Sequence, residues 1–188
     1  MDTCRRTSQI GFTLMEILMT IAIAAIVAMI GIPSFRYVTN ANRISSEVNG
    51  LLGDLQFARS EAIKEGQNVT VCISTSGTSC DGGNPATWQN GWIVYSNPTG
   101  VTTPVANSTL RIQAPFTSTD TFVAVPTATS EFTFNREGYA AGIAGNGILI
   151  ELHDSTGTTA WTRCLSVYMN GMTQTAQYNQ VVDAGTCQ

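Results

Sequence analysis

Apolar and polar residues follow three successive regimes along this chain. From 12 to 32 the run "FTLMEILMTIAIAAIVAMIGI" is apolar on every side of a helical projection and holds one charge, Glu16. A helix of that length, at about 1.5 Å per residue, spans roughly 30 Å, the thickness of the hydrocarbon core of a bilayer. From Ile44 the pattern narrows to a stripe: Ile44, Val48, Leu51, Leu52, Leu55, Ala58 and Ala62 recur at spacings of three and four. Arg43, Glu47, Asp54, Arg59, Glu61 and Glu65 fill the positions between them. This is an amphipathic helix, stopped by Gly66. Pro33 removes one backbone donor and is expected to kink the run rather than end it. One long helix is therefore expected over 12–66, membrane-spanning over 12–32 and amphipathic over 33–66. Its second half is expected to be the core helix of a head, because the heptad run is too short for a coiled coil.

Beyond residue 66 the period changes to that of strands. "NVTVCIST", "GWIVYS", "TLRIQ", "TFVAV", "EFTFN", "GILIEL" and "WTRCLSVYMN" alternate or run apolar, with Gly, Pro, Asn and Ser between them. No second long helix is expected. A long helix followed only by strands predicts an α+β fold, with a β-rich antiparallel head over 67–188 packed on the apolar face of the helix. The segments 76–87 and 97–108, rich in Gly, Pro, Asn and Thr, are expected to be exposed loops. No internal repeat is present.

Flanking charge gives the apolar run a direction. Arg5 and Arg6 precede it, so the short N-terminus stays in the cytoplasm and the chain after Pro33 is exported. A cleavable secretory signal is the alternative, but its apolar core is shorter, about 7 to 15 residues, and ends in a small-residue site. Here the run leads into "PSFRYVTN". The formal charge is −4; without residues 1–11 it is −5, from 7 basic and 12 acidic residues. An acidic chain is poorly suited to holding phosphate backbones.

Cysteine placement agrees with export. Cys4 lies ahead of the apolar run, and Cys72, Cys80, Cys164 and Cys187 all lie after it. Four cysteines in an oxidising compartment read as two disulfides, with three connectivities open. Cys72 with Cys80 and Cys164 with Cys187 is favoured, because each closes a local loop. No C-x-x-C spacing points to zinc or redox chemistry.

The stretch "GFTLMEIL" resembles the N-terminal signature of type IV pilins and type II secretion pseudopilins. Further along, "LLGDLQFARSEAIKEGQNVTVC", "WQNGWIVYSN" and "FTFNREGYA" resemble the narrower GspH/FimT group, which includes FimT- and FimU-type minor pilins and the type II minor pseudopilin H. The resemblance implies a pilin-like fold and a cleaved leader over 1–11. A prepilin peptidase would cut between Gly11 and Phe12 and methylate the new amine of Phe12. It assigns Glu16 to filament assembly and Pro33 to the helix kink. Implied partners are other major and minor pilins, met through the N-terminal helix, together with the peptidase and an inner-membrane assembly platform. The implied location is the bacterial inner membrane, single-pass with the head in the periplasm, and then the pilus. A bridge near the C-terminus is frequent in type IV pilins, and Cys164 with Cys187 would supply it.

Candidate chemistry in the head is sparse. His153 adjoins Asp154 and Ser155, but contiguous residues rarely reach one another as a triad requires; a turn is expected. Asp81 in "CDGGN" lacks the series of oxygen ligands that calcium needs. Asn68 and Asn107 match N-x-[ST], a motif without ready meaning in a bacterial protein. Trp88, Trp92, Trp161, Tyr95, Tyr139 and Tyr168 would serve a nucleic-acid stacking platform only if interleaved with basic residues. Beyond 66 there are only Arg111, Arg136 and Arg163, so these aromatics are expected in the core. Some FimT-type pilins bind DNA through a basic C-terminal stretch, and the comparable "NGMTQ" here has no arginine. No catalytic residue, metal site or cofactor is expected, and nucleic-acid binding is not. The expected function is that of a minor type IV pilin priming, or sitting at the tip of, a pilus. Minor pseudopilin H of a type II secretion system and a DNA-binding pilin for natural transformation are the alternatives.

Overall fold

The computed structural model of the protein describes residues 11–83, 85–98, 104, 108–125, 128–143 and 145–188. Residues 1–10, with Cys4, Arg5 and Arg6, lie outside this set, as does Asn107, so the expected leader falls outside the described residues. The chain divides into two compact units, Met1–Asn40 and Ala41–Gln188.

One helix, α1 (Leu14–Glu65), runs through the first unit and into the second, with Pro33 inside it. Proline has no N–H to donate, so the Met29 carbonyl lacks its i+4 partner. In the first unit every described side chain is exposed as far as Thr39. Phe12 is 76% exposed and Met29 80%, with nothing polar on the helix to account for it beyond Glu16, Thr20 and the stretch after Pro33. α1 is the one helix among the described residues long and apolar enough to cross a membrane.

In the second unit α1 changes character. Ile44, Val48, Leu51, Leu55, Ala58 and Ala62 are at most 2% exposed. Burial of Ile44, Val48, Leu51 and Leu55 contributes about 1.5 to 3 kcal/mol each. Leu52, on the shoulder of the stripe, is only partly buried.

Among the described residues eleven strands follow. β1 (Val69–Ile73), β2 (Trp92–Ser96), β3 (Thr109–Gln113), β5 (Glu131–Phe134) and β6 (Ala140–Ala141) form an antiparallel sheet in the order β3-β2-β1-β5-β6. β4 (Thr121–Val125), β7 (Ile148–His153), β8 (Arg163–Val167) and β9 (Thr173–Gln177) form a second, β4-β7-β8-β9. The last pair, β10 (Val181–Val182) and β11 (Gly185–Thr186), is a small hairpin. Both large sheets place alternate side chains in one cluster with the α1 stripe: Val69, Val71 and Phe132 from the first, Phe122, Ile150 and Leu165 from the second. The fold is one long N-terminal helix packed against antiparallel sheets, the α+β architecture expected from the sequence.

Two expectations need correction. Ala86, within the segment 76–87 expected to be an exposed loop, is fully buried; its carbonyl accepts the Ala124 N–H and the adjoining Thr87 bridges to Val123. Asn97, at the start of the second loop segment, is 4% exposed and donates through Nδ2 to Thr70 Oγ1 at 3.0 Å. The Asn97 N–H also donates to the Asn68 carbonyl at 2.7 Å, so in both cases a polar or small residue is held inside by pairing that composition does not reveal.

Candidate functional site: the exposed helix and the braced head

The beginning of α1 is set by Thr13. Its Oγ1 accepts the Glu16 N–H at 3.2 Å, and its carbonyl accepts the N–H groups of Glu16 and Ile17 at 3.1 and 3.2 Å. "TLME" is therefore the S/T-x-x-E pattern of a capping box, with Thr13 as N-cap and Glu16 at the third helical position. The acid also sits at the positive end of the helix dipole. A local role for Glu16 was readable in the sequence from this spacing. Gly11 and Phe12 are exposed and lie before the first helical residue.

In the head, the segments "ARSEAI" and "FTFNREGYA" meet. Arg59 donates from Nε to the Gly138 carbonyl at 3.0 Å and from Nη2 to the Asn170 carbonyl at 3.2 Å. Gly138 and Gly171 both have positive φ, 82° and 74°, the left-handed region that side chains disfavour. A second brace centres on Asp54. It accepts the Trp92 indole N–H at 2.8 Å and an Arg111 N–H at 2.9 Å, while the Arg111 guanidinium lies 3.7 Å from the centroid of the Phe57 ring.

A third brace joins the start of the buried stripe to the loop before β4. Arg43 meets Asp120 in a two-pronged pair at 2.8 and 3.1 Å, and Asp120 is fully buried at its side chain. Ser155 N–H donates to the same carboxylate. Beside it, Glu47 accepts from Ser118 Oγ at 3.0 Å, while its other oxygen, Oε2, is buried without a partner. Burial, then the neighbouring Asp120 charge, raises the Glu47 pKa above the ordinary 4.5, against the lowering effect of the Ser118 hydrogen bond and Arg43.

The four cysteines of the head pair as Cys72–Cys80 and Cys164–Cys187, with Cα atoms 5.6 and 5.8 Å apart. The first covers Ile93 and Tyr95 on the outer face of the five-stranded sheet. The second straps the β10–β11 hairpin over Leu149 and Ala176 on the outer face of the other.

The remaining candidates are structural. The Asp154 carboxylate accepts the N–H groups of Thr156 and Thr158 at 3.1 and 2.7 Å, and the Thr156 hydroxyl. It closes a turn and does not serve His153, whose Nε2 lies 3.6 Å from Glu151. Asp81 accepts from the Thr75 N–H and hydroxyl, both at 2.6 Å, and these bonds lower its pKa. Trp88, Trp92 and Tyr95 are buried, and Trp161 packs partly against the core. Tyr139, 54% exposed, and the half-buried Tyr168, whose hydroxyl donates to Gln174 Oε1 at 3.1 Å, do not join the core as expected.

No curated protein matches the chain. Among solved structures, two crystal forms of the type IV minor pilin FimU of Pseudomonas aeruginosa PAO1 are similar. In one the identity is 21% and the TM-score 0.57, covering 74% of this chain and 92% of the other. In the second they are 20% and 0.53, covering 70% and 91%. At that identity the likeness concerns the fold. The sequence model of the family GspH, described as type II transport protein GspH, matches residues 47–171, two thirds of the chain, including the braces of Arg59 and Asp54 but not Arg43 of the third. The chain belongs to the GspH family.

Proposed function

We propose that the chain is a non-enzymatic structural subunit, a minor type IV pilin that primes assembly of the pilus or sits at its tip. The observation that carries this reading is the first unit: an apolar helix exposed on every side as far as Thr39, beginning just after Gly11 and Phe12. Such a surface is stable only in lipid or among other apolar helices. The family and this helix fit membrane anchoring with a periplasmic head. Cleavage between Gly11 and Phe12, methylation of Phe12, and packing of the helix with those of other pilins complete the reading. The peptidase and the inner-membrane assembly platform are its further partners.

A second reading, minor pseudopilin H of a type II secretion system, is favoured by the description of the matching family. The two share fold and processing and differ in company. Purifying the mature chain from detergent extracts and identifying its stable companions separates them: other minor pilins for the first, secretion-system components for the second. Intact mass of the same material should begin at Phe12, and a mature chain starting near Pro33 would sink both. DNA uptake has little support, since the head beyond residue 66 holds three arginines and no lysine.

A further inference from the structure

β9 ends the four-stranded sheet, and no described strand lies beyond it. Register decides which of its backbone groups are free. The Tyr168 N–H donates to the Met172 carbonyl at 2.9 Å, which makes these two a hydrogen-bonded pair. With β8 and β9 aligned from Val167↔Thr173 to Arg163↔Gln177, the next such pairs are Ser166 with Gln174 and Cys164 with Ala176. The N–H and C=O groups of Thr173, Thr175 and Gln177 therefore point away from β8. At Gln177 both are engaged: the N–H donates to Gln180 Oε1 at 3.0 Å, and the carbonyl accepts the Gln180 N–H at 2.9 Å. Thr173 and Thr175 turn two donors and two acceptors outward. The strand, "TQTAQ", carries none of the lysine, proline or charge that usually guards such an edge. The chain after it turns at Asn179, with φ 61°, and folds over the outer face of the sheet, and among the described residues no backbone group bonds to the outward groups of Thr173 and Thr175.

Charge gives this edge a preference. Two hollows of about 450 and 250 Å³ lie between β9 and α1. Their charged lining residues are Arg59 in the first and Arg163 in the second. Arg59 donates to the two carbonyls named above, and Arg163 Nη1 donates to those of Ala160 and Thr162 at 3.1 and 2.8 Å. Neither arginine is within salt-bridge distance of a carboxylate among the described residues. In an acidic protein the edge thus has an uncompensated cation at each end.

We infer that the free edge of β9 docks an extended peptide segment of a partner protein, flanked by carboxylates about four to six residues apart, as an added strand. Thr173 and Thr175 supply the backbone ladder, and Arg59 and Arg163 select the flanking acids. This goes beyond the assembly role and does not rest on it. A nucleic acid would satisfy the arginines but not the alternating donors and acceptors.

The test is a titration of the full, ¹⁵N-labelled chain in detergent with the peptide acetyl-Asp-Thr-Val-Thr-Val-Asp-amide, its lysine-flanked analogue, and a single-stranded DNA oligonucleotide. The acid-flanked peptide should shift the Thr173 and Thr175 amide resonances at about 1 mM, with the lysine-flanked analogue at least about tenfold weaker. Thr175→Pro, which removes an outward donor and no β8 bond, should abolish the response. If that variant loses its resonance dispersion, Arg163→Gln carries the test: it should weaken the acid-flanked peptide several-fold and leave the lysine-flanked one unchanged. Equal response to both peptides, a response surviving Thr175→Pro in a folded variant, or Arg163→Gln leaving the acid-flanked peptide unaffected overturns the inference. So do silence at about 5 mM, a response to the oligonucleotide in place of the peptide, or shifts on concentrating the chain alone, which would make a second copy the occupant.

Discussion

The Nε of Arg59 donates to the carbonyl oxygen of Gly138 at 3.0 Å, tying the last turns of α1 to a turn 79 residues further along the chain. Gly171 closes over the same carbonyl, and a Cβ there would fall inside the contact shell of the Gly138 oxygen.

Gly171→Ala should therefore cost more than an ordinary left-handed glycine. Gly142 also has positive φ, 78°, but a Cβ on it meets nothing within 4 Å. Gly142→Ala is expected to lose about 1 kcal/mol from conformation alone, and Gly171→Ala at least about 2 kcal/mol, since a backbone carbonyl must move. Urea denaturation of the two variants in one detergent checks this, and equal midpoints would contradict the brace.

Glu47 makes stability depend on pH with a definite sign. Its pKa is raised in the folded state, so over the window from the ordinary 4.5 up to that raised value the folded chain binds more protons than the unfolded one. Stability contributed at this site falls as pH rises through the window. Glu47→Gln removes the buried charge and retains a hydrogen-bonding side chain for Ser118. It should flatten the slope and raise the melting temperature near neutral pH. A variant with the wild-type slope would place the effect elsewhere.

The two bridges should differ in worth. Cys164–Cys187 spans 23 residues and Cys72–Cys80 spans 8; chain entropy assigns them about 3.4 and 2.5 kcal/mol respectively. The longer bridge also holds Val182 against Leu149 and Ala176. Serine at both Cys164 and Cys187 should thus lower the melting temperature further than serine at Cys72 and Cys80. The reverse order would mean that β10 and β11 hold the C-terminus unaided.

Glu16 has two candidate roles, and two variants separate them. A charge role would pair its carboxylate with the Phe12 amine of a neighbouring subunit after cleavage, which satisfies a group otherwise costly in a bilayer. The capping role needs only a side chain able to reach the Thr13 backbone, which glutamine also provides. Glu16→Ala and Glu16→Gln are both expected to insert and be cleaved, and both to leave cells without pili at wild-type number. Normal piliation with glutamine would assign the residue to the cap alone.

Much of this architecture was legible because apolar period and burial coincide. Ile44, Val48, Leu51 and Leu55 recur at helical spacing and are buried on one face, and "TVCI" and "WIVY" read as strands because both their faces are covered. β9 is not legible in the sequence, for the opposite reason. "TQTAQ" has no apolar alternation and exists as a strand through the turn at Gly171 and its pairing with β8. The same holds for the two-residue strands β6, β10 and β11. Nor does any local pattern announce that Asp54 and Arg111 meet across 57 positions, since contacts at that range are products of topology. The T-x-x-E start of α1 was within reach of the sequence, hidden by the resemblance that gives Glu16 a different part.

The placement of the aromatic residues has an optical consequence. All three tryptophans, Trp88, Trp92 and Trp161, belong to the second unit, and the first unit has none among its 40 residues. The indoles of Trp88 and Trp92 lie 6.4 Å apart, the first stacked on Phe132 and the second donating to Asp54. Excited at the red edge, the whole chain in detergent emits from its head alone while the apolar helix stays dark. The molecule thus carries its own reporter of head unfolding, one that lipid and micelle around the helix do not colour.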